Sequence, residues 1–194
     1  MQMTEVMDTA AVRPADVLNV KDAGLFRKGE FVVYPTHGVG SIERVGFEEF
    51  AGYRLNLIRI SFDENKMILR VPVAKARSIG LRKLSSRKQL AEALLKLNGR
   101  PRPSRLMWAK RAQGYLAKIN SGELVALAEA VRDLQVASDG SGSSFSQRTL
   151  FELALDRFAA EFAAINRIAK ADAVAHINQV LADAGTIDQQ TPGT

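Results

Sequence analysis

Hydrophobic and polar positions alternate along the first half of the chain. Between Phe26 and Leu84 the alternating segments are FVVY (31–34), VGSIERVGF (39–47), YRLNLIRISF (53–62) and KMILRVPV (66–73). The turn signals between them are Pro35-Thr36-His37-Gly38, Glu49-Phe50-Ala51-Gly52 and Asp63-Glu64-Asn65. Alternation with short polar connections predicts β-strands. We therefore expect residues 26–84 to form a small, strongly bent antiparallel sheet or SH3-like barrel.

From Ser86 onward, hydrophobic residues recur at helical spacing instead. RKQLAEALLKLN predicts a helix that ends at Asn98-Gly99. Ser104 is expected to cap a second helix as far as about Ile119, and Asn120-x-x-Glu123 a third as far as about Val136. After the loop SDGSGSS (138–144), Ser144-x-x-Gln147 predicts the start of the longest helix. The last amphipathic stretch runs from Val174 to Leu181.

These patterns predict an α+β protein in which a small β-domain is followed by an all-α helical bundle. We expect a flexible N-terminal tail over residues 1–25, a β-domain over 26–84, a helical domain over 86–184 and a flexible tail over 185–194. No hydrophobic run approaches the ~18 residues that a membrane helix requires, and no targeting segment opens the chain. Together with the absence of cysteine, this predicts a cytoplasmic protein without a membrane partner.

Charge is distributed unevenly along the chain. The net charge of the whole chain is +6, yet residues 86–120 hold nine basic side chains and one acidic side chain, whereas residues 121–194 hold five basic and ten acidic ones. A dense basic segment beside an acidic half is typical of a protein that binds a polyanion. The alternative is that the basic side chains form a solvated helix face.

The residues that enzyme chemistry needs do not occur in suitable patterns. Cysteine is absent, and the two histidines, His37 and His176, are far apart without carboxylates at ligand spacing. Gly38-Val39-Gly40 is not followed by the Gly-Lys-Ser/Thr of a phosphate-binding loop. The sequence therefore predicts a binding protein with no catalytic residue, no metal and no cofactor.

Trp108, the single tryptophan, lies within the basic segment RPRPSRLMWAKRAQGYLAK. On a helix it shares a face with Ala112, Tyr115, Leu116 and Ile119, which favours a place in the bundle core. It also lies near the predicted helix start, where a side chain can project past the bundle. The nearby cations are Arg102, Arg105, Lys110 and Arg111. An indole among cations suits a wedge against an unstacked base step, so DNA binding is the second interpretation.

Three segments of the sequence, two in the β part and one in the helical part, resemble one protein family. FRKGEFVVYPTHGVGSIERV followed by LRVPVAKARSIGLRKL, and then WAKRAQGYLAKINSGELVALAEAVRDL, are similar to the CarD/CdnL family of bacterial RNA polymerase regulators. The resemblance runs from Phe26 to about Ala182, with both parts in the family's order. The first phrase is shared with the polymerase-binding module of transcription-repair coupling factors. The near-neutral end GTIDQQTPGT resembles the shorter, stand-alone CdnL type.

The resemblance implies a Tudor-like module that adds its sheet edge to a lobe of the RNA polymerase β subunit. The family's contact arginine falls on Arg70, and the hairpin tip that touches the same lobe falls near Glu48, Glu49 and Phe50. Some relatives carry a basic residue at the position of Glu48. The partner would be the holoenzyme with its primary sigma factor, bound by a monomer that associates with the nucleoid through the polymerase.

In the helical part, the family's wedge tryptophan falls on Trp108, which would enter the minor groove at the upstream fork of the transcription bubble. Phosphate contacts would fall on Lys110 and Arg111, whereas a lysine used by some members is replaced by Gln113. The implied function is stabilisation of the open promoter complex by largely sequence-independent DNA binding. Two other functions stay open from the residues alone, namely an RNA- or ribosome-binding protein that uses the barrel, and a protein–protein adaptor.

Overall fold

A computed structural model describes residues 4–7, 24–50, 52–63, 66–102, 106–138 and 144–188. Residues 4–7, 50, 136–138 and 185–188 are described by their backbone alone. The chain divides into two compact units, Met1–Leu84 and Ser85–Thr194. The first contains the strands and the second the helices, so the protein has an α+β fold as predicted.

Within the described residues, the first unit is a six-stranded sheet in the order β1-β5-β4-β3-β2-β6. The strands are β1 (Thr4–Met7), β2 (Phe31–Tyr34), β3 (Gly38–Phe50), β4 (Tyr53–Phe62), β5 (Met67–Pro72) and β6 (Arg82–Lys83). A short 3-10 helix, Val73–Lys75, follows β5. The pairs β2–β3, β3–β4, β4–β5 and β2–β6 are antiparallel, whereas β1 pairs with β5 in parallel.

The long strand β3 bends where its pairing with β4 shifts register between Ile42 and Arg44. Such a bulge lets one strand pair with neighbours on both sides of a small, curved sheet. Close packing also fixes Gly40, because a Cβ atom there would lie 2.6 Å from the side chain of Ile60 and 2.9 Å from the carbonyl oxygen of Ser61. Only glycine fits that approach of two strands.

One face of β4 supplies the centre of the core of the sheet. Ile58, Ile60 and Phe62 are at most 2% exposed and pack with apolar residues of the neighbouring strands. The opposite face of β4 is not uniformly polar, since Leu55 and Leu57 are also buried. Strong burial of alternate residues on β4 fixes its register, because a slip of one residue would exchange its two faces.

The second unit contains five helices in its described part. They are α1 (Arg87–Leu97), α2 (Trp108–Asn120), α3 (Leu124–Ser138), α4 (Phe145–Asn166) and α5 (Lys170–Asp188). Their apolar faces form one core, which includes Leu97, Ile119, Leu134, Phe158 and Ile177. Capping boxes begin α1 and α4, where Gln89 and Gln147 exchange hydrogen bonds with Ser86 and Ser144. The box at Ser144 was predicted from the sequence, and it is confirmed.

The sheet differs from the sequence-based expectation in two places. Residues 4–7 lie in the predicted flexible tail, yet they form β1, and their pairing with β5 makes the sheet mixed rather than wholly antiparallel. The hairpin between β3 and β4 is also tighter than predicted. Glu49 and Phe50 belong to β3, where they pair with Arg54 and Tyr53. Gly52, with φ of 80°, provides the turn in the left-handed region that glycine tolerates.

The helix boundaries also differ from the sequence-based expectation. Helix α2 begins at Trp108 with Met107 as its N-cap and no side-chain cap, so Ser104, which lies outside the described residues, does not start it. Asn120 ends α2 instead of capping α3. Gly122, with φ of 74°, separates the two helices. Helix α5 extends from Lys170 to Asp188, so four residues of the predicted C-terminal tail are helical.

Candidate protein and nucleic-acid interfaces

Arg70 lies on the outer face of β5. Its neighbours Leu69 and Val71 are 3% and 0% exposed, and strand alternation directs Arg70 away from them. Arg70 Nε lies 3.4 Å from Glu48 Oε2, and the two side chains are 24% and 21% exposed. The structure thus brings together two of the four residues predicted to contact a partner.

A second ion pair lies beside the first. Arg59 of β4 is directly opposite Arg70 in the register. Its Nε donates to Glu43 Oε2 over 2.8 Å, with both side chains about a third exposed. The outer face of the sheet therefore presents two neighbouring arginines, each paired with a glutamate of β3. Partly exposed pairs of this kind stabilise a fold by only ~0–1 kcal/mol, so these two ion pairs contribute little to the stability of the sheet.

The end of the β3–β4 hairpin carries exposed aromatic side chains. Phe47 is 49% exposed and Tyr53 is 60% exposed, and the guanidinium of Arg54 lies 5.0 Å from the centre of the Phe47 ring. Glu49, one of the predicted contact residues, is exposed opposite Arg54, whereas Phe50 is described by its backbone alone. Phe47 on β3 and Tyr53 on β4 were not among the predicted contact residues, although both lie on the hairpin whose end was predicted to touch a partner.

Trp108 is the first residue of α2, and it is neither fully buried nor fully projecting. The half-buried indole packs against the helical core, with its ring centre 6.5 Å from that of Tyr115. Its Nε1 donates to Ser146 Oγ of α4 over 3.0 Å. The guanidinium of Arg111 lies 5.4 Å from the centre of the indole ring. Both interpretations of Trp108 therefore retain a structural basis, because the ring contacts the core and keeps an exposed portion.

The other predicted DNA-binding residues that the structure describes lie at or just before the start of α2, and they differ in exposure. Lys110 and Arg102 are exposed, and Arg111 is half-buried beside the indole. The backbone N–H of Arg102 donates to Asp133 Oδ1 over 3.1 Å, which ties the segment before α2 to α3. Arg105 lies outside the described residues. Lys110 and Arg111 thus lie within one helical turn of Trp108.

Part of the basic segment is neutralised by the acidic half of the chain. Lys118 Nζ donates to Glu129 Oε2 over 2.8 Å, and this hydrogen bond holds the pKa of Glu129 below its ordinary value. Burial raises the pKa of Tyr115 on the same helix. The cationic surface of α2 is consequently concentrated at its N-terminal turn, where Trp108 lies.

The described residues contain no group of three or more histidine, cysteine, aspartate and glutamate side chains that could hold a metal ion. No helix in the described part of the chain is long and apolar enough to cross a membrane.

Comparison with known proteins assigns both units. The CarD-like/TRCF RID domain matches residues 26–85, and the C-terminal domain of CarD matches residues 92–178. The protein named "Putative transcription factor YdeB" from Bacillus subtilis (strain 168) is 26% identical over 144 residues, which cover 74% of this chain and 94% of that protein. The two matched domains identify the chain as a transcription regulator of a class connected with RNA polymerase interaction. Members of this class are regulators and not enzymes.

The chain belongs to the CarD/CdnL family, as its sequence phrases indicated. The sheet is accordingly a Tudor-like module.

Proposed function

We propose that this protein binds the RNA polymerase β subunit through its sheet and promoter DNA through the start of α2, and thereby stabilises the open promoter complex. The observation that carries the proposal is the setting of Trp108. The indole begins a helix, keeps part of its surface exposed, and has Arg111 against it and Lys110 beside it. Residues 26–84 and 86–184 would divide the two binding tasks between them.

The DNA-binding step would use the difference between a closed duplex and a melted fork. A duplex keeps its bases stacked on one another, whereas a fork exposes a base face that an indole can cover. Lys110 and Arg111 would hold the adjacent phosphates, which gives affinity without sequence readout. A ligand that prefers one state shifts the equilibrium by its difference in affinity. At ~1–3 kcal/mol per stacked base, Trp108 would lengthen the life of the open complex by roughly 5- to 150-fold.

The polymerase-binding step would use the outer face of β5 and its edge. Arg70 and Glu48 lie together on that face, with Glu49 near the end of the same hairpin. The charge pair would set the orientation of the partner, because complementary charges fix register more than they add affinity. Weak DNA binding would then suffice, since attachment to the polymerase supplies a high effective concentration at the promoter.

The proposal is tested by the lifetime of open complexes on a linear promoter fragment after challenge with a competitor. Purified holoenzyme is measured with and without the full-length protein at several salt concentrations. We expect the lifetime to increase, and the increase to shrink as salt rises, because part of the binding comes from phosphate contacts. An unchanged lifetime at saturating protein would contradict the proposed function.

The position of β1 leads to a further prediction about the polymerase-binding edge. Strand β1 pairs with Met67–Arg70 and so occupies the outer edge of β5. A polymerase strand could pair there only after β1 has left. The apparent affinity for a partner is proportional to the fraction of molecules whose binding site is open. The full-length double variant Glu5→Pro/Val6→Pro should release β1, because alternate N–H groups of a strand face its partner and one of the two prolines must remove an N–H that faces β5. We therefore expect this variant to bind the β subunit several-fold more tightly.

Binding of the β subunit by calorimetry measures this effect, with Glu5→Ala/Val6→Ala as the matched control that keeps both N–H groups. Equal affinities of the wild type and the proline variant would show that β1 and the polymerase do not compete for this edge.

A further inference from the structure

Two strongly exposed apolar side chains lie at the starts of the two helices that Trp108 and Ser146 connect. Met107, the N-cap of α2, is 79% exposed, and Phe145, the first residue of α4, is 86% exposed. The hydrogen bond from Trp108 Nε1 to Ser146 Oγ places the first turn of α4 against the first turn of α2. Met107, Trp108 and Phe145 are defined here as the apolar tip of the helical unit.

The charges around the apolar tip are positive. Neither α2 nor α4 has an acidic residue in its first turn. Lys110 and Arg148 are exposed within those two turns, and Arg111 lies against the indole. The N-terminal ends of both helices add partial positive charge from their backbone N–H groups. An apolar surface within a cationic rim is complementary to a polyanion that exposes flat apolar faces, which describes a nucleic acid whose bases are locally unstacked.

Phe145 is difficult to explain as a residue that stabilises the free protein. An 86% exposed phenyl ring gains little from burial, and the capping box needs only Ser144 and Gln147 around it. A single exposed apolar residue is common on protein surfaces, whereas several together within a polar rim are typical of an interaction site. Its place one residue before the hydroxyl that receives the Trp108 hydrogen bond puts it beside the proposed wedge.

We propose that Phe145 is a second base-contacting residue, which covers the unpaired base next to the step that Trp108 opens. This inference rests on the proposed function of Trp108 and extends it from a single ring to a composite wedge contributed by two helices. A composite wedge distinguishes a melted fork from a duplex more strongly than one ring, because the closed duplex offers neither base face.

The test uses full-length Phe145→Ala, with Phe145→Tyr as the conservative variant and Leu95→Ala as the control. Leu95 is 74% exposed on α1, so the control removes a comparable exposed apolar side chain from another helix. Two readouts are needed: the open-complex lifetime with holoenzyme, and the fluorescence of a fork duplex that carries 2-aminopurine at the first unpaired position. We expect Phe145→Ala to shorten the lifetime by roughly 5-fold or more and to weaken the 2-aminopurine response. Phe145→Tyr and Leu95→Ala should match the wild type.

The possible outcomes separate this inference from the proposed function. If Trp108→Ala loses activity while Phe145→Ala behaves like Leu95→Ala, the composite wedge is overturned and the proposed function stands. If neither variant differs from the control, the proposed function fails as well. A fall in affinity for the polymerase in Phe145→Ala would identify the apolar tip as a protein-docking surface. A shifted Trp108 emission in the free variant would show that Phe145 acts by holding the indole. Either result overturns a direct contact with DNA.

Discussion

Replacement of Arg70 by glutamate is expected to abolish binding to the polymerase β subunit while the melting temperature stays nearly unchanged. Leu69 and Val71 hold β5 in the core from the other face, so the fold does not depend on the guanidinium. The pair with Glu48 is partly exposed, and its loss costs at most ~1 kcal/mol. A carboxylate in place of the arginine would set like charges against each other at the interface, which costs several kcal/mol, and a loss of ~2 kcal/mol already corresponds to roughly a 30-fold loss of affinity.

A charge-swapped control separates recognition from stability. Arg70→Glu alone places a second carboxylate near Glu48, whereas Arg70→Glu combined with Glu48→Arg restores an ion pair across the same 3.4 Å contact. We expect the swapped protein to regain any lost stability and to remain unable to bind the β subunit, as measured by calorimetry and thermal melting. Retained binding in Arg70→Glu, or recovered binding in the swapped protein, would contradict the assignment of Arg70 as a partner contact.

Local features of the structure were predictable because they depend on nearby residues. The alternation in YRLNLIRISF gave the bounds of β4 without error, since one strand face carries Ile58, Ile60 and Phe62 into the core. The capping box at Ser144 was predictable for the same reason, because a hydroxyl and an amide three residues apart complete it by themselves.

Features that depend on distant residues were missed. TEVM (4–7) has no flanking turn signal, and its partner β5 begins more than fifty residues later, so nothing local indicates a parallel pairing. The expected end of β3 is too early, because Glu49 and Phe50, which the sequence places in the turn, continue β3 and pair with β4. Charged residues on an exposed strand end resemble a turn in sequence, and only the cross-strand register distinguishes the two.

The candidate DNA interface shows the same division between local and distant information. Helical periodicity correctly placed Trp108 on the side of α2 that packs against the core. It could not give the depth of burial, which depends on how far α4 covers the indole. The hydrogen-bond partner of Trp108, Ser146, lies 38 residues away along the chain, so no local pattern indicates it. The periodicity of α4 likewise does not distinguish Phe145 from its neighbours. Glu129 was likewise not foreseen as the group that neutralises Lys118.

Trp108→Ala is expected to remove most of the stabilisation of open complexes while the protein stays folded and still binds polymerase. Truncation of a fully buried aromatic residue to alanine costs ~3–5 kcal/mol. Trp108 is only half-buried, so we expect a smaller loss of about 1–2 kcal/mol, which a unit stabilised by ~5–15 kcal/mol tolerates. The lost stacking of ~1–3 kcal/mol predicts open complexes that dissociate roughly 5- to 150-fold faster than with the wild type.

Two companion variants separate the wedge from the structural role of the ring. Trp108→Phe keeps a flat aromatic side chain but loses the indole N–H, and Ser146→Ala removes the acceptor of that N–H while it leaves the indole in place. If stacking on a base is what matters, Trp108→Phe should retain a large part of the lifetime gain, and Ser146→Ala should reduce the gain less than Trp108→Ala. Both are measured with holoenzyme on the same promoter, beside thermal melting of each free protein.

Indole emission should change when fork DNA and polymerase are added to the wild type. A Trp108→Ala protein that unfolds, or an indole whose emission and quenching by iodide stay the same in the promoter complex, would return Trp108 to a purely structural role in the helical core.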